Sequence, residues 1–304
     1  MDRNVVVNCY DLLSLTPAAG IEDYTEGIYG GRRATPYAEA QRRQHDWLLD
    51  ELGVGPGFRL LDVGCGTGSV LPRASARGAV ATGITISPAQ VKLGRSRGLD
   101  VRLLDYRDMD RCLAPEYDGI IANGSIEHFC PAEEAAAGRQ DAIYRRMFEL
   151  FHRVLRPDSP ARRVVSTTIH FRGLPPAPAR LLRSPFRALA SPAVFHFGIL
   201  ERGYGGYYPV AGQLARCAAP LFRLVQEQDG TEDYGFTSED WRQLLVAALR
   251  RRTGLGTGIM RCFLRRPRHT AYMLMSFFGP QSWRWQFRGH PPPTTLWRQT
   301  WQAA

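Results

Sequence analysis

The 304-residue sequence has no apolar run long enough to cross a bilayer, and its N-terminus carries no signal-peptide pattern. These absences lead us to expect a cytoplasmic protein, with peripheral contact at the inner membrane face left open. Its six cysteines (Cys9, Cys65, Cys112, Cys130, Cys217 and Cys262) are scattered without a single C-x-x-C pair. That spacing suggests neither a zinc site nor a disulfide framework and fits a reducing compartment. No internal repeat and no low-complexity tail is present. Acidic residues are in deficit, 29 against 39 basic ones, for a net charge of +10. Such an excess favours an anionic partner: nucleic acid, acidic phospholipid or a phosphopantetheine carrier. An arginine-rich, solvated surface accounts for it equally well. The 44% hydrophobic and 22% charged residues are those of a globular chain with one sizeable core, or one core with an appended lobe.

The stretch that organises the rest is Phe58-Arg59-Leu60-Leu61-Asp62-Val63-Gly64-Cys65-Gly66-Thr67-Gly68. Its apolar start reads as a buried parallel strand, closed by Asp62. Glycine at alternate positions then turns the chain towards a helix beginning near Ser69. Backbone stripped of side chains at a strand's carboxyl end is where a nucleotide-like ligand can approach closely. An ordinary glycine-rich turn is the alternative reading. Further strands are expected at 80–84, 101–104, 117–122 and 163–170, with helices at 36–53, 88–98 and 141–155. This alternation argues for a doubly wound parallel sheet. Residues 1–34 show little regular pattern. The 173–192 stretch is proline-rich and basic, with Arg180, Arg183 and Arg187 among apolar residues; a membrane contact, a substrate mouth and a packed lid all fit it. Beyond it, helices are expected at 210–218, 239–252 and 268–278, and strands at 221–226 and 295–301.

The second expected strand ends without a carboxylate to accept ribose hydroxyls. It reads Gly83-Ile84-Thr85-Ile86-Ser87-Pro88-Ala89-Gln90, where the Thr85 hydroxyl and Gln90 amide can share that task. Ser87-Pro88 also reads simply as a helix N-cap with proline at the first position.

The glycine spacing at 64–68 resembles motif I of class I S-adenosylmethionine (SAM) methyltransferases. With Leu104-Asp105-Tyr106-Arg107-Asp108 and Gly124-Ser125-Ile126-Glu127-His128-Phe129, the resemblance becomes one to the cyclopropane-fatty-acid synthase family, which includes the mycolic acid methyltransferases. It extends to Tyr24-Thr25-Glu26-Gly27-Ile28-Tyr29 and to Glu232-Asp233-Tyr234-Gly235-Phe236-Thr237. The fold this implies is a Rossmann-like, mostly parallel seven-stranded sheet with helices on both faces. The implied organisation is an N-terminal lid and helix (1–54), a SAM-binding core (55–170), a basic substrate-side insertion (171–206) and a C-terminal completion of the sheet with a helical cover (207–304).

The resemblance implies that Tyr24 and Thr25 close over the amino-acid end of SAM, that Asp62, Gly64, Gly66, Gly68 and Asn123 border it, that Thr85 and Gln90 hold the ribose, and that Asp105 and Tyr106 flank the adenine. The implied reaction is C-methylation or cyclopropanation of an unsaturated lipid or similar apolar alkene through a carbocation. Anionic phospholipid and carrier-bound acyl chains are the expected substrates. Glu127 and Tyr234 match catalytic positions. Two others depart from the family: a cysteine position reads Glu26, and a histidine position reads Thr167, with His170 nearby. That puts the family's bicarbonate base in doubt: either Glu26 replaces it as base or cation stabiliser, or Glu26 points to solvent and the enzyme simply methylates. Methylation of an isoprenoid or polyketide is the main competitor. The charge motivates a nucleic-acid reading, which lacks a supporting motif, and a non-catalytic scaffold is the remaining alternative. No metal is expected, and homo-oligomer formation is left open.

Overall fold

The computed structural model describes residues 3–304. Seven strands form one sheet in the order β3-β2-β1-β4-β5-β7-β6. They are β1 (Arg59–Val63), β2 (Val80–Thr85), β3 (Val101–Leu103), β4 (Gly119–Asn123), β5 (Arg163–Phe171), β6 (Phe222–Asp229) and β7 (Thr294–Ala303). The first five strands pair in parallel, and β7 inserts antiparallel between β5 and β6. The strand order reverses beside β1, so a crevice opens beyond the carboxyl ends of β1 and β4.

Helices α1 (Arg3–Leu13) and α2 (Tyr37–Leu52) precede the sheet. The crossovers carry α3 (Leu71–Ala76), α4 (Pro88–Ser96), α5 (Met109–Cys112), α6 (Ala132–Ala136) and α7 (Gln140–Val154). Beyond β5 come α8 (Pro178–Leu181), α9 (Pro192–Gly203), α10 (Gln213–Ala218), α11 (Thr231–Arg250), α12 (Leu255–Arg265) and α13 (Pro267–Phe278).

The alternation of β5 sorts the core. Val165 packs with Leu48, Leu49 and Leu60 under α2, whereas Val164 packs with Phe148, Phe151 and Trp301 under α7. A third apolar cluster lies between the sheet end and α1, α8, α9, α11 and α13. This last cluster is hollow.

Several helices differ from the sequence reading, among them α9, which lies ahead of the first helix expected beyond the proline-rich stretch. Helix α1 forms in a stretch read as irregular; it carries no acid in its first turn and no base in its last, so the usual end signals are missing. Helix α11 begins at Thr231, not at 239, because Gly235 is accommodated inside a helix whose first turn carries Glu232 and Asp233. Helix α12 had no counterpart in the reading, since Gly256 and Gly258 mask its apolar spacing.

Candidate active site

Three adjoining cavities meet at the carboxyl end of the sheet. The first, about 450 Å³, is bordered by Asp23, Tyr24, Thr25, Asp62, Gly64, Gly66, Ser69 and Asn123. The second, about 660 Å³, is bordered by Thr85, Gln90, Asp105, Tyr106, Ser125 and Phe129. The third, about 790 Å³, is a chamber with Glu127, Tyr234 and nine other Tyr, Phe or Trp rings in its wall. Tyr10 of α1 borders all three.

The first cavity is shaped by backbone. Gly64 has φ +82, and a Cβ there would stand 2.4 Å from the Cβ of Ser125, whose hydroxyl donates to the Val63 carbonyl at 2.8 Å. Only glycine lets the loops after β1 and β4 pass this closely. Gly68 does not border a cavity: its missing Cβ makes room for Leu71, Leu99 and Val101, so it serves packing, which corrects its expected place among the ligand contacts. Thr25, Gln44, Asn123 and Thr167 form a buried polar lattice. Gln44 Nε2 donates to Asn123 Oδ1 at 2.8 Å, Asn123 Nδ2 to Thr25 Oγ1 at 3.1 Å, and Thr167 Oγ1 to Asn123 Oδ1 at 2.7 Å.

Asp23, which the sequence reading missed, accepts from His45 Nε2 at 2.8 Å and from Ser69 Oγ at 2.7 Å. Despite burial, these bonds hold its pKa down to about 2. Asp62 lacks such support: burial first, and then the charge of Asp23, push its pKa up to about 8. A carboxylate so placed gains by meeting a cation.

In the second cavity Thr85 donates to Gln90 Oε1 at 2.6 Å, and Gln90 Nε2 is buried with no partner. Leaving a buried donor unpaired costs about 1–3 kcal/mol, a cost that a hydrogen-bond acceptor in this cavity would remove. Ser87 caps α4, accepting from Gln90 N at 3.3 Å, with proline at the first helical position. Tyr106 stacks on Phe129 at 3.9 Å, giving the cavity an aromatic wall. Asp105 accepts from Arg107 at 2.7 and 3.0 Å at its rim.

In the chamber Glu127 is buried. Its Oε1 accepts from Ile169 N at 2.8 Å, while Oε2 has no partner. Burial, aided by the nearby charge of Glu26, pushes its pKa up to about 8 against the pull of the Ile169 N–H. Gly206, at φ +102, presses against this loop; a Cβ there would fall 2.0 Å from the Glu127 carbonyl oxygen. His128 Nδ1 faces the carbonyls of Tyr204 and Gly205 at 3.2 Å each, so that nitrogen carries the proton. Nε2 therefore accepts from the Tyr10 hydroxyl at 3.0 Å, fastening α1 across the junction of the cavities. Tyr24 is tied to α1 through the Leu13 carbonyl.

Three expected catalytic residues lie elsewhere. His170 sits on the face of β5 opposite Ile169 and Phe171, the two residues that border the chamber, so strand alternation points it away. Thr167 is spent on Asn123 and on Gly124 N, at 3.1 Å for the latter. Glu26 is fully buried but outside the chamber wall, with Oε1 accepting from Arg298 Nε at 3.1 Å. Arg298 also donates to Asp233 at 2.7 Å. Glu26 is thus part of a buried ion network joining the lid loop, α11 and β7, not a base facing substrate.

Sheet order, antiparallel β7 and the crevice beside β1 define the Rossmann-like class I methyltransferase fold. Residues 23–255 match the model of the mycolic acid cyclopropane synthetase family, and the chain belongs to that family. A tuberculostearic acid methyltransferase of Mycobacterium tuberculosis is 32% identical over 189 residues, which is 57% of this chain and 41% of that protein. The chain therefore spans less than half the length of this curated relative. Among solved structures, a cyclopropane synthase from Mycobacterium tuberculosis has a TM-score of 0.70 at 18% identity, over 100% of this chain and 99% of that one. A mycolic acid cyclopropane synthase solved with S-adenosylhomocysteine and CTAB has a TM-score of 0.67 at 22% identity, over 96% and 93%. At these identities the likeness is one of fold.

Proposed function

We propose that the protein is a SAM-dependent C-methyltransferase acting on a carbon–carbon double bond of an unsaturated acyl lipid or comparable apolar alkene. The observation that carries the reading is the unpartnered Glu127 Oε2 at the wall of an aromatic chamber that adjoins a glycine-walled crevice.

The crevice residues fit the donor. Asp62 suits its ammonium group, the Gln90 amide a ribose hydroxyl, and Tyr106 with Phe129 an adenine face. When bound, the donor supplies an electrophilic methyl group on a sulfonium. The alkene's π electrons form the new carbon–carbon bond, and the electrons of the broken sulfur–carbon bond stay on sulfur. The positive charge left on the neighbouring alkene carbon is stabilised by the faces of the surrounding rings. Glu127 Oε2 then takes the proton, from the transferred methyl to close a cyclopropane or from chain carbon to leave a methyl branch. No Arg or Lys borders the chamber among the described residues, so a diphosphate-terminated isoprenoid would find no counter-charge there.

Bicarbonate does not fit. The position matching the family's cysteine holds Glu26, whose Oε1 already accepts from Arg298, and the Thr167 hydroxyl already donates to Asn123, so neither offers a donor to hold an anion. Turnover is accordingly expected to be unchanged when bicarbonate is stripped from the buffer and restored. A several-fold stimulation would contradict Glu127 as the base.

The active form of Glu127 is the carboxylate, whereas the raised pKa keeps it protonated in the empty site at neutral pH. The rate should therefore rise with pH to a plateau. At saturating donor the limb should lie at or below about pH 8, because a bound sulfonium favours the carboxylate. A pH–rate profile that falls through this range would exclude the assignment.

A further inference from the structure

Helices α12 and α13, packed outside the chamber, carry an unusual outer face. Met260, Phe263 and Leu264 share one side of α12 at i, i+3, i+4 spacing, and all three are exposed, Leu264 by 77%. Arg261 and Arg265 adjoin them on the helix and Arg268 follows at the start of α13; all three are exposed and have no ion-pair partner among the described residues. Residues 241–304 contain eleven arginines and no Asp or Glu. Phe186, half exposed, lies beside Tyr272 of α13 at 6.4 Å, so α13 joins the α12 face to the segment bearing exposed Leu189 and Arg187. A monomer exposes such a set of large apolar residues at a cost unless something covers them.

Beneath α12 lies a further cavity of about 360 Å³, bordered by Leu12, Leu245, Leu255 and Ile259, with Leu13 and Phe277 shared with the chamber. An apolar space thus runs from the inner side of this helix to the wall of the reaction chamber.

We propose that the outer face of α12, continued over α13, docks the protein on an anionic phospholipid bilayer, and that the cavity beneath α12 receives part of the acyl chain on its way to Glu127. The chain-receiving role rests on the alkene-methylation reading; the docking does not. Charge complementarity selects the partner, because arginines attract acidic headgroups while the apolar trio enters the acyl boundary.

The test is co-sedimentation with vesicles of phosphatidylglycerol and unsaturated phosphatidylcholine, against phosphatidylcholine alone, with RNA binding measured in parallel. The full chain is expected to prefer the anionic vesicles. Replacing Arg261, Arg265 and Arg268 by Gln should weaken partition about 100-fold. The M260S/F263S/L264S variant should weaken it at least about tenfold, with donor binding and Tm unchanged. Ile259→Trp, filling the inner cavity, should keep vesicle and donor binding but lose methyl transfer to long acyl chains. Unaltered partition of both surface variants, or salt-sensitive RNA binding that depends on the same arginines without vesicle binding, would overturn the docking. An Ile259→Trp protein with normal transfer would overturn the chain path. Vesicle binding that depends on α12 but leaves no methyl on any acyl chain would instead sink the alkene reading and leave the docking face standing.

Discussion

Glu127→Gln is expected to lower turnover by about 10³-fold while leaving donor affinity within a few-fold of wild type. The amide oxygen of Gln can still accept the Ile169 N–H, so the loop and the glycine crevice should keep their shape. What disappears is the basic Oε2, whose lone pair collects the proton released by the cation. The same substitution has a stability signature. In the wild type Glu127 is held protonated up to about pH 8, whereas the unfolded chain ionises near 4.5. Across that window the unfolded state binds fewer protons than the folded state, so folding stability falls as pH rises. The Gln variant has no proton to lose there, and its Tm should decline less between pH 5 and 8. Asp62 titrates in both proteins, so the difference between them isolates Glu127. Equal turnover of Glu127→Gln and wild type would remove the base from the mechanism.

The largest stability effect is expected at Arg298. This guanidinium is 2% exposed and pairs with Glu26 and Asp233, which belong to the lid loop and to the first turn of α11. Arg298→Leu leaves the buried Glu26 and the partly buried Asp233 without their counter-ion, a loss of about 3 kcal/mol and a fall in Tm of several degrees. Donor binding should weaken with it, because the loop that carries Glu26 also carries Thr25 and Tyr24. Glu26→Gln should be mild, since Arg298 keeps Asp233 and a neutral amide needs no partner charge. Thermal melts and turnover assays of both variants check this. A Glu26→Gln protein with turnover reduced about 100-fold, yet normally folded, would return Glu26 to the chemistry.

These two sites mark where sequence reading succeeds and where it stops. The glycine loop, the Thr85–Gln90 segment and Glu127 were legible because each is a local arrangement: a strand, a turn and a side chain within a few residues. The partner of Glu26 was not. Arg298 lies 272 residues away on an antiparallel strand, and nothing in its own neighbourhood distinguishes it from other arginines. Asp23 was hidden for a similar reason, since its anchors His45 and Ser69 come from α2 and the glycine loop. His170 misled because nearness in sequence was taken for nearness in space. In a strand, one residue's shift from Ile169 reverses the direction of the side chain. Tyr10 was invisible because helix α1 lacks the end signals that would have placed it.

The most direct measurement supplies the protein with SAM carrying a deuterated methyl group and vesicles of monounsaturated phospholipid, then analyses the acyl chains by mass spectrometry. The account requires the label on acyl carbon and its loss in Glu127→Gln. Loss of one deuteron from the transferred group would mark a cyclopropane, and retention of all of them a methyl branch. Label on oxygen, on nitrogen or on nucleic acid, with the acyl chains unchanged, would contradict it.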